Sequence, residues 1–410
     1  MSVDNMRKDY LWNTVGTSAN AFVSLLLLIA VTRINGIEAG GLWGFCFSFA
    51  ILFFTIGLYG GRIYQVSDIS GEFESRNYVF LKFITSGAML VTAIVFILVN
   101  SYDQDRIALL LSLVVYKMLD AIADPLYGVM QRKGHLYLAG ISMTLKAAIG
   151  FGAFIAVNIM TLNVLYASLC LLAANAVFIL VFDIPYTRKL ESIGHVLDKN
   201  LKPSLVLLKA SAYIFAFSLL TNLLINIPRY FVDVYHTTEE LGWFAIIIMP
   251  ATMLNLFVQF VIQPKLVPLS ERFAAEKYAR FNLTVTKLIL VSLGFGAITI
   301  YLVWLVGVPV LSFIYAEDLT PWRTAMTLVV FAGTLNTMTM IYSMILSVMR
   351  KFKIQLFNYL VAVAGIFIAS AMLVEQRSVD GAVLAFVIAN AIQAALFFVS
   401  YYVIFRKVRR

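Results

Sequence analysis

Apolar runs long enough to cross a bilayer follow one another along the chain, separated by short polar turns. A helical span needs about 20 mostly apolar residues, whereas a barrel strand needs about 10 in alternation. By that measure the pattern predicts about twelve helical spans, near 9–33, 39–65, 78–100, 105–127, 136–160, 163–185, 204–227, 240–263, 284–306, 322–348, 354–374 and 379–404. The stretch 227–268 shows the repeated device. One apolar segment ends in Ile-Pro-Arg229-Tyr-Phe-Val-Asp233, a polar turn covers 236–240, and Leu241-Gly242-Trp243 opens the next run. The same order occurs at Val31-Thr-Arg33, Glu38 and Gly41-Leu42-Trp43-Gly44.

More pairs keep that order. Val66-Ser67-Asp68 matches Leu269-Ser270-Glu271, Lys82 matches Lys287, and Val129-Met130-Gln131-Arg132-Lys133 matches Val348-Met349-Arg350-Lys351. The second half gains residues, most of them between Lys287 and Val348, where 308–320 forms an extra stretch before the tenth span. Each half holds an even number of spans, so the repeats are parallel. Parallel repeats about an axis along the membrane normal are a transporter architecture. The expected organisation is a six-helix lobe over 1–186, a basic cytoplasmic linker over 187–203 and a second six-helix lobe over 204–410. Within the second, Leu266, Leu269, Phe273, Tyr278 and Phe281 fall near one helical face, which predicts an amphipathic helix lying in the interface.

Composition agrees. The 410 residues are 61% hydrophobic and 13% charged, with a mean hydropathy of +0.89. Soluble domains are about 45–50% apolar and about 25% charged, so there is too little polar surface here for a water-soluble body. The expected class is an all-α polytopic membrane protein. Net charge is +9, but the basic residues lie in short loops, which points to topology rather than to nucleic acid. Of 31 lysines and arginines, Arg33, Arg106, Arg229, Arg323 and Arg377 flank spans on one side. Lys117, Lys146 and Lys209 lie inside spans. The rest, Lys82 among them, flank spans on the side that holds both termini, so both termini are expected in the cytoplasm. Cys46 and Cys170 lie in apolar runs without metal-ligand spacing, so neither a metal site nor a disulfide is expected. The first apolar run is long and lacks a cleavage pattern, so no cleavable signal is expected.

The paired Arg…Gly-aromatic devices, the Gln131-Arg132-Lys133-Gly134 loop and Leu311-Ser-Phe-Ile-Tyr315 together resemble the polysaccharide-exporting branch of the multidrug/oligosaccharidyl-lipid/polysaccharide (MOP) flippase superfamily. The resemblance covers the whole chain. It implies two lobes that open alternately to either side of a bacterial cytoplasmic membrane. The cargo it implies is undecaprenyl-pyrophosphate-linked oligosaccharide repeat units, for O-antigen, exopolysaccharide or capsule. A polysaccharide polymerase and a chain-length regulator are the partners it implies, besides membrane lipids.

The chemistry such a task requires can be sought among charged residues within spans, which cost about 2.5–3.5 kcal/mol by insertion scales and usually face a cavity or a partner. Lys117, Asp120 and Asp124 share one face of the fourth span. Lys146 lies in the fifth, Arg62 closes the second, and Lys209 opens the seventh, which also carries Asn222 and Asn226. Arginine grips phosphate oxygens bidentately and lysine acts as a point charge. The expected substrate contacts are therefore Arg33, Arg62, Lys146, Lys209 and Arg229, with Asn222 and Asn226 for sugar hydroxyls. Lys117, Asp120 and Asp124 are candidates for coupling to a proton or sodium ion. Several have a plainer reading: Lys117–Asp120 as a structural pair, Arg33, Lys209 and Arg229 as snorkelling anchors, Arg62 as a topology determinant. No nucleotide-binding P-loop and no catalytic constellation occurs in the sequence, so no enzyme activity and no cofactor is expected. The rival readings are a cation-coupled multidrug exporter of the same superfamily and a membrane glycosyltransferase or polymerase.

Overall fold

The structure is a computed structural model that describes residues 3–68, 72–191, 202–257 and 265–409. Every regular element among the described residues is helical. The chain divides into two compact units, Met1–Leu219 and Leu220–Arg410. Most of the expected linker 187–203 lies outside the described residues, as does the end of the eighth span.

The first unit contains α1 (Val3–Asn35), α2 (Ile37–Leu58), α3 (Gly61–Ser67), α4 (Ser75–Asn100), α5 (Gln104–Arg132), α6 (Leu136–Thr161), α7 (Val164–Phe178) and α8 (Ile184–Leu190). A π-helical segment, Ile179–Asp183, joins α7 to α8. Helix α9 (Lys202–Tyr235) runs across the division between the units. The second unit continues with α10 (Thr238–Ile247), α11 (Met249–Phe257), α12 (Leu266–Ala274), α13 (Tyr278–Leu302), α14 (Val308–Tyr315), α15 (Arg323–Val348) and α16 (Phe352–Arg409). Nine helical stretches among the described residues are long and apolar enough to cross a membrane. Helix α5 carries Lys117, Asp120 and Asp124, the α10–α11 pair is short, and α16 breaks at Ser378 (φ 49°, ψ −126°) into two runs. With these three, the described helices correspond to the twelve spans read from the sequence.

Two expectations change in detail. The sequence sets 308–320 apart as an extra stretch before the tenth span, whereas α14 continues α13 through the π-helical segment Val303–Gly307. The amphipathic helix expected over 266–281 ends at Ala274, because Glu276 turns left-handed (φ 56°) before α13 begins. Phe273 and Phe281 still meet, with ring centroids 5.3 Å apart.

Close backbone approach and satisfied breaks hold the first unit together. Helix α1 packs along α6. At their crossing a Cβ on Gly140 would stand 2.2 Å from the Trp12 carbonyl oxygen, so only glycine fits. Small residues at membrane helix crossings serve this purpose, since lipid offers no hydrophobic drive between helices. Helix α2 ends where Tyr59 and Gly60 turn left-handed (φ 43° and 66°). A break at membrane depth frees carbonyls that must find donors. Helix α4 provides them. Thr85 Oγ1 donates to Gly57 O at 2.8 Å, and Lys82 Nζ donates to Leu58 O. Lys82 is 1% exposed, so its assignment to a solvated flank is corrected. Its cation caps the negative end of α2 instead.

Candidate functional site

Helices α1, α2, α3, α5, α6 and α7 of the first unit line a cavity of about 250 Å³. Its charged wall comprises Arg62, Asp120, Asp124 and Lys146, with Tyr127, Asn175 and Asn20 as polar neighbours. Helical spacing explains the contribution of α5. Tyr116, Asp120, Asp124 and Tyr127 recur every three or four residues and so share one face.

Three lysine–aspartate pairs meet at or behind this wall. Lys117 Nζ lies 3.0 Å from Asp120 Oδ2, Lys82 Nζ 3.1 Å from Asp124 Oδ2, and Lys146 Nζ 2.6 Å from Asp183 Oδ2. The pairs do not face the same way. Asp120 and Asp124 reach the cavity while Lys117 and Lys82 stand behind them. In the third pair Lys146 reaches the cavity and Asp183, fully buried, stands behind.

Most of these charges have a further partner. Asn175 Nδ2 donates to Asp120 Oδ1 at 2.9 Å. The Lys117 ammonium sits over the Tyr116, Phe47 and Phe54 rings at 4.6, 5.4 and 5.6 Å. Lys146 Nζ donates to Tyr127 OH at 2.9 Å, and Ser142 Oγ donates to Asp183 Oδ1 at 2.5 Å. Arg62 Nη2 donates to Gln131 Oε1 at 3.2 Å. The Arg62 guanidinium and the Lys146 ammonium lie 5.8 and 5.4 Å from the centre of the same Tyr127 ring. Desolvating an ion costs several kcal/mol, and removing one partner of a buried pair costs about 3–5 kcal/mol. The wall is therefore held as pairs.

The other candidates stand elsewhere. Lys209 is exposed near the start of α9, and Arg33 is exposed in the last turn of α1; neither lines the cavity. Asn222, Asn226 and Arg229 belong to the second unit. There Asn226 Nδ2 donates to Asn222 O at 2.9 Å. Arg229 is 5% exposed, with its guanidinium 5.9 Å from the Phe244 ring. The paired Arg33 and Arg229 devices thus differ in burial. Asp183, Tyr127, Ser142, Asn175 and Lys82 escaped the sequence reading. The only signal for Asp183 was a carboxylate closing the apolar run of the sixth span, and Lys82 had the look of a flank residue.

The sequence matches the family described as polysaccharide biosynthesis protein over residues 6–274. The chain belongs to that family. A capsular polysaccharide biosynthesis protein of Staphylococcus aureus, CapF, is 21% identical over 405 residues, 98% of this chain and 100% of that protein. Among solved structures, an inward-facing multidrug resistance MATE transporter of the MOP superfamily aligns with a TM-score of 0.69 at 12% identity, over 93% of this chain and 94% of that one. A MOP superfamily transporter from Pyrococcus furiosus, described as having a binding pocket of reverse polarity, aligns with a TM-score of 0.63 at 12% identity, over 99% and 96%. These likenesses show the fold. The resemblance to the polysaccharide-exporting branch of the MOP superfamily holds, and so does the all-α, multi-pass class. The fold is one that MATE transporters share.

Proposed function

We propose that the protein is a flippase. It moves undecaprenyl-pyrophosphate-linked oligosaccharide repeat units from the cytoplasmic to the outer leaflet of a bacterial cytoplasmic membrane, for capsule, exopolysaccharide or O-antigen. Both termini face the cytoplasm, and lobes 1–186 and 204–410 open alternately to either side. The observation that carries the reading is the charged cavity inside an apolar, membrane-spanning unit of a polysaccharide biosynthesis family member. Such charges are costly in lipid and mark pathways for polar cargo. A lipid-linked pyrophosphate needs fixed cations to replace its hydration, while its tail stays in the bilayer. At about 250 Å³ the cavity is below the roughly 300–1,000 Å³ of pockets for drug-sized ligands. It suits a phosphate head rather than an oligosaccharide. Export would hand repeat units to a polymerase and a chain-length regulator on the outer side. Asp120 and Asp124 are the groups through which a proton or sodium ion would couple.

Complementation tests this. Deleting the gene in its own polysaccharide cluster should trap single lipid-linked repeat units on the inner leaflet, and restoring it should release them. Normal export in the deletion strain would defeat the proposal. The second reading, a cation-coupled multidrug exporter, is favoured by the two aspartates facing the cavity and by the fold. Purified protein that binds hydrophobic organic cations but no lipid-linked saccharide would support it instead.

A further inference from the structure

Among the three buried pairs, one has its polarity reversed. Lys146 faces the cavity and Asp183 does not, whereas Asp120 and Asp124 face it and their lysines do not. With Arg62, Lys146 brackets the Tyr127 ring, so two cations and one hydroxyl gather at one place on the wall. Asp183 already holds this group from behind. Its Oδ2 lies 2.6 Å from Lys146 Nζ and accepts from Tyr127 OH at 3.3 Å, while its Oδ1 accepts from Ser142 Oγ. The aspartate is well anchored. It ends the π-helical segment Ile179–Asp183, and its carbonyl accepts from Thr187 Oγ1 at 2.7 Å. Single-turn π segments recur at functional sites because the extra residue re-aims a side chain.

We infer that Asp183 is an internal counter-anion for Lys146, and that a phosphate or pyrophosphate group entering the cavity competes with it for Lys146 and the Tyr127 hydroxyl. This rests on the flippase reading and adds the residue that sets the strength of head-group binding. The exchange is reversible for a physical reason. When Lys146 turns to the incoming anion, Asp183 keeps the Ser142 hydroxyl as a donor to its Oδ1. When the anion leaves, Lys146 returns to a fixed partner rather than standing unpaired. Asp183 is therefore a positioning residue: it sets Lys146 availability without touching cargo.

The test uses purified full-length protein and two probes, inorganic pyrophosphate and undecaprenyl pyrophosphate in the same detergent. Asp183→Asn should bind inorganic pyrophosphate about tenfold or more tightly than the wild type, because the competing charge is gone. Lys146→Gln and the double variant K146Q/D183N should fall to a common weak level. Equal affinity in the wild type and D183N overturns the inference. Binding of inorganic but not lipid-linked pyrophosphate keeps the role of Asp183 and defeats the lipid-linked reading. If D183N does not fold, the wild type is treated with dicyclohexylcarbodiimide, which joins a lysine and a carboxylate in contact as an amide and leaves as the urea. Pyrophosphate should lower the Lys146–Asp183 cross-link, read by peptide mass. Unchanged or higher cross-linking also overturns the inference.

Discussion

Lys146 stands between the cavity and Asp183, and the two side chains meet at 2.6 Å with the lysine 10% and the aspartate 0% exposed. Lys146→Gln is therefore expected to abolish export of lipid-linked repeat units in a complementation assay. It should also lower folded yield, since an unpaired buried carboxylate costs about 3–5 kcal/mol. The double variant K146Q/D183N separates the two effects: yield recovers and export does not. Lys209→Gln, at an exposed position on α9 away from the cavity, should keep export. Loss of export in K209Q would place that lysine on the cargo path after all.

Lys82 serves two partners at once, the Leu58 carbonyl and Asp124. Lys82→Met should reduce thermal stability in detergent by about 3–5 kcal/mol. Adding Asp124→Asn should restore part of the loss, because the orphaned charge disappears while the exposed carbonyl remains. A K82M protein that melts with the wild type would show that the α2 break needs no such support.

Gly140→Leu should disrupt the α1–α6 crossing, where even a Cβ would stand 2.2 Å from the Trp12 carbonyl oxygen. The expected loss is more than about 3 kcal/mol, the range of severe overpacking. Gly152→Ala is the control, since nothing lies within 4 Å of its added Cβ. Size-exclusion profiles after heating distinguish the two.

Outside the spans, Glu191 is tied to Lys133 at 3.1 Å. Burial acts to raise its pKa, but hydrogen bonds from Ser75 and Lys133 outweigh it and hold the carboxyl below its ordinary value of 4.5. With a lowered folded-state pKa, the stabilisation is present above pH 4.5 and is lost as the pH falls through the folded value. Glu191→Gln should lower the melting midpoint at pH 7 by no more than about 2 °C, as for a half-exposed pair. The gap to the wild type should close as the pH falls through the lowered folded value. A gap that persists there would assign the effect to shape rather than charge.

The span pattern was legible because each apolar run is long enough to cross lipid and its turns are short. Lys117–Asp120 was legible too, since both residues lie on one helix three positions apart. The other two pairs join different helices, α4 to α5 and α6 to the end of the sixth span. No local period reveals such a partner. That is why Lys146 stood without a partner in the sequence, and why Lys82 passed for a flank residue. The place of Lys209 apart from this cavity was hidden for a related reason. Its place inside an apolar run does not say which side of α9 it occupies.

The α2–α3 turn at Tyr59 and Gly60 has a mechanical meaning. Arg62 rides on the short helix just beyond it, and the ammonium that fastens the turn also grips Asp124 of α5, another lining residue of the chamber. A swing of α3 about that joint would carry Arg62 with it and tug on Asp124 through the same clasp. One cation of the chamber and one of its carboxylates are thus geared to a single pivot.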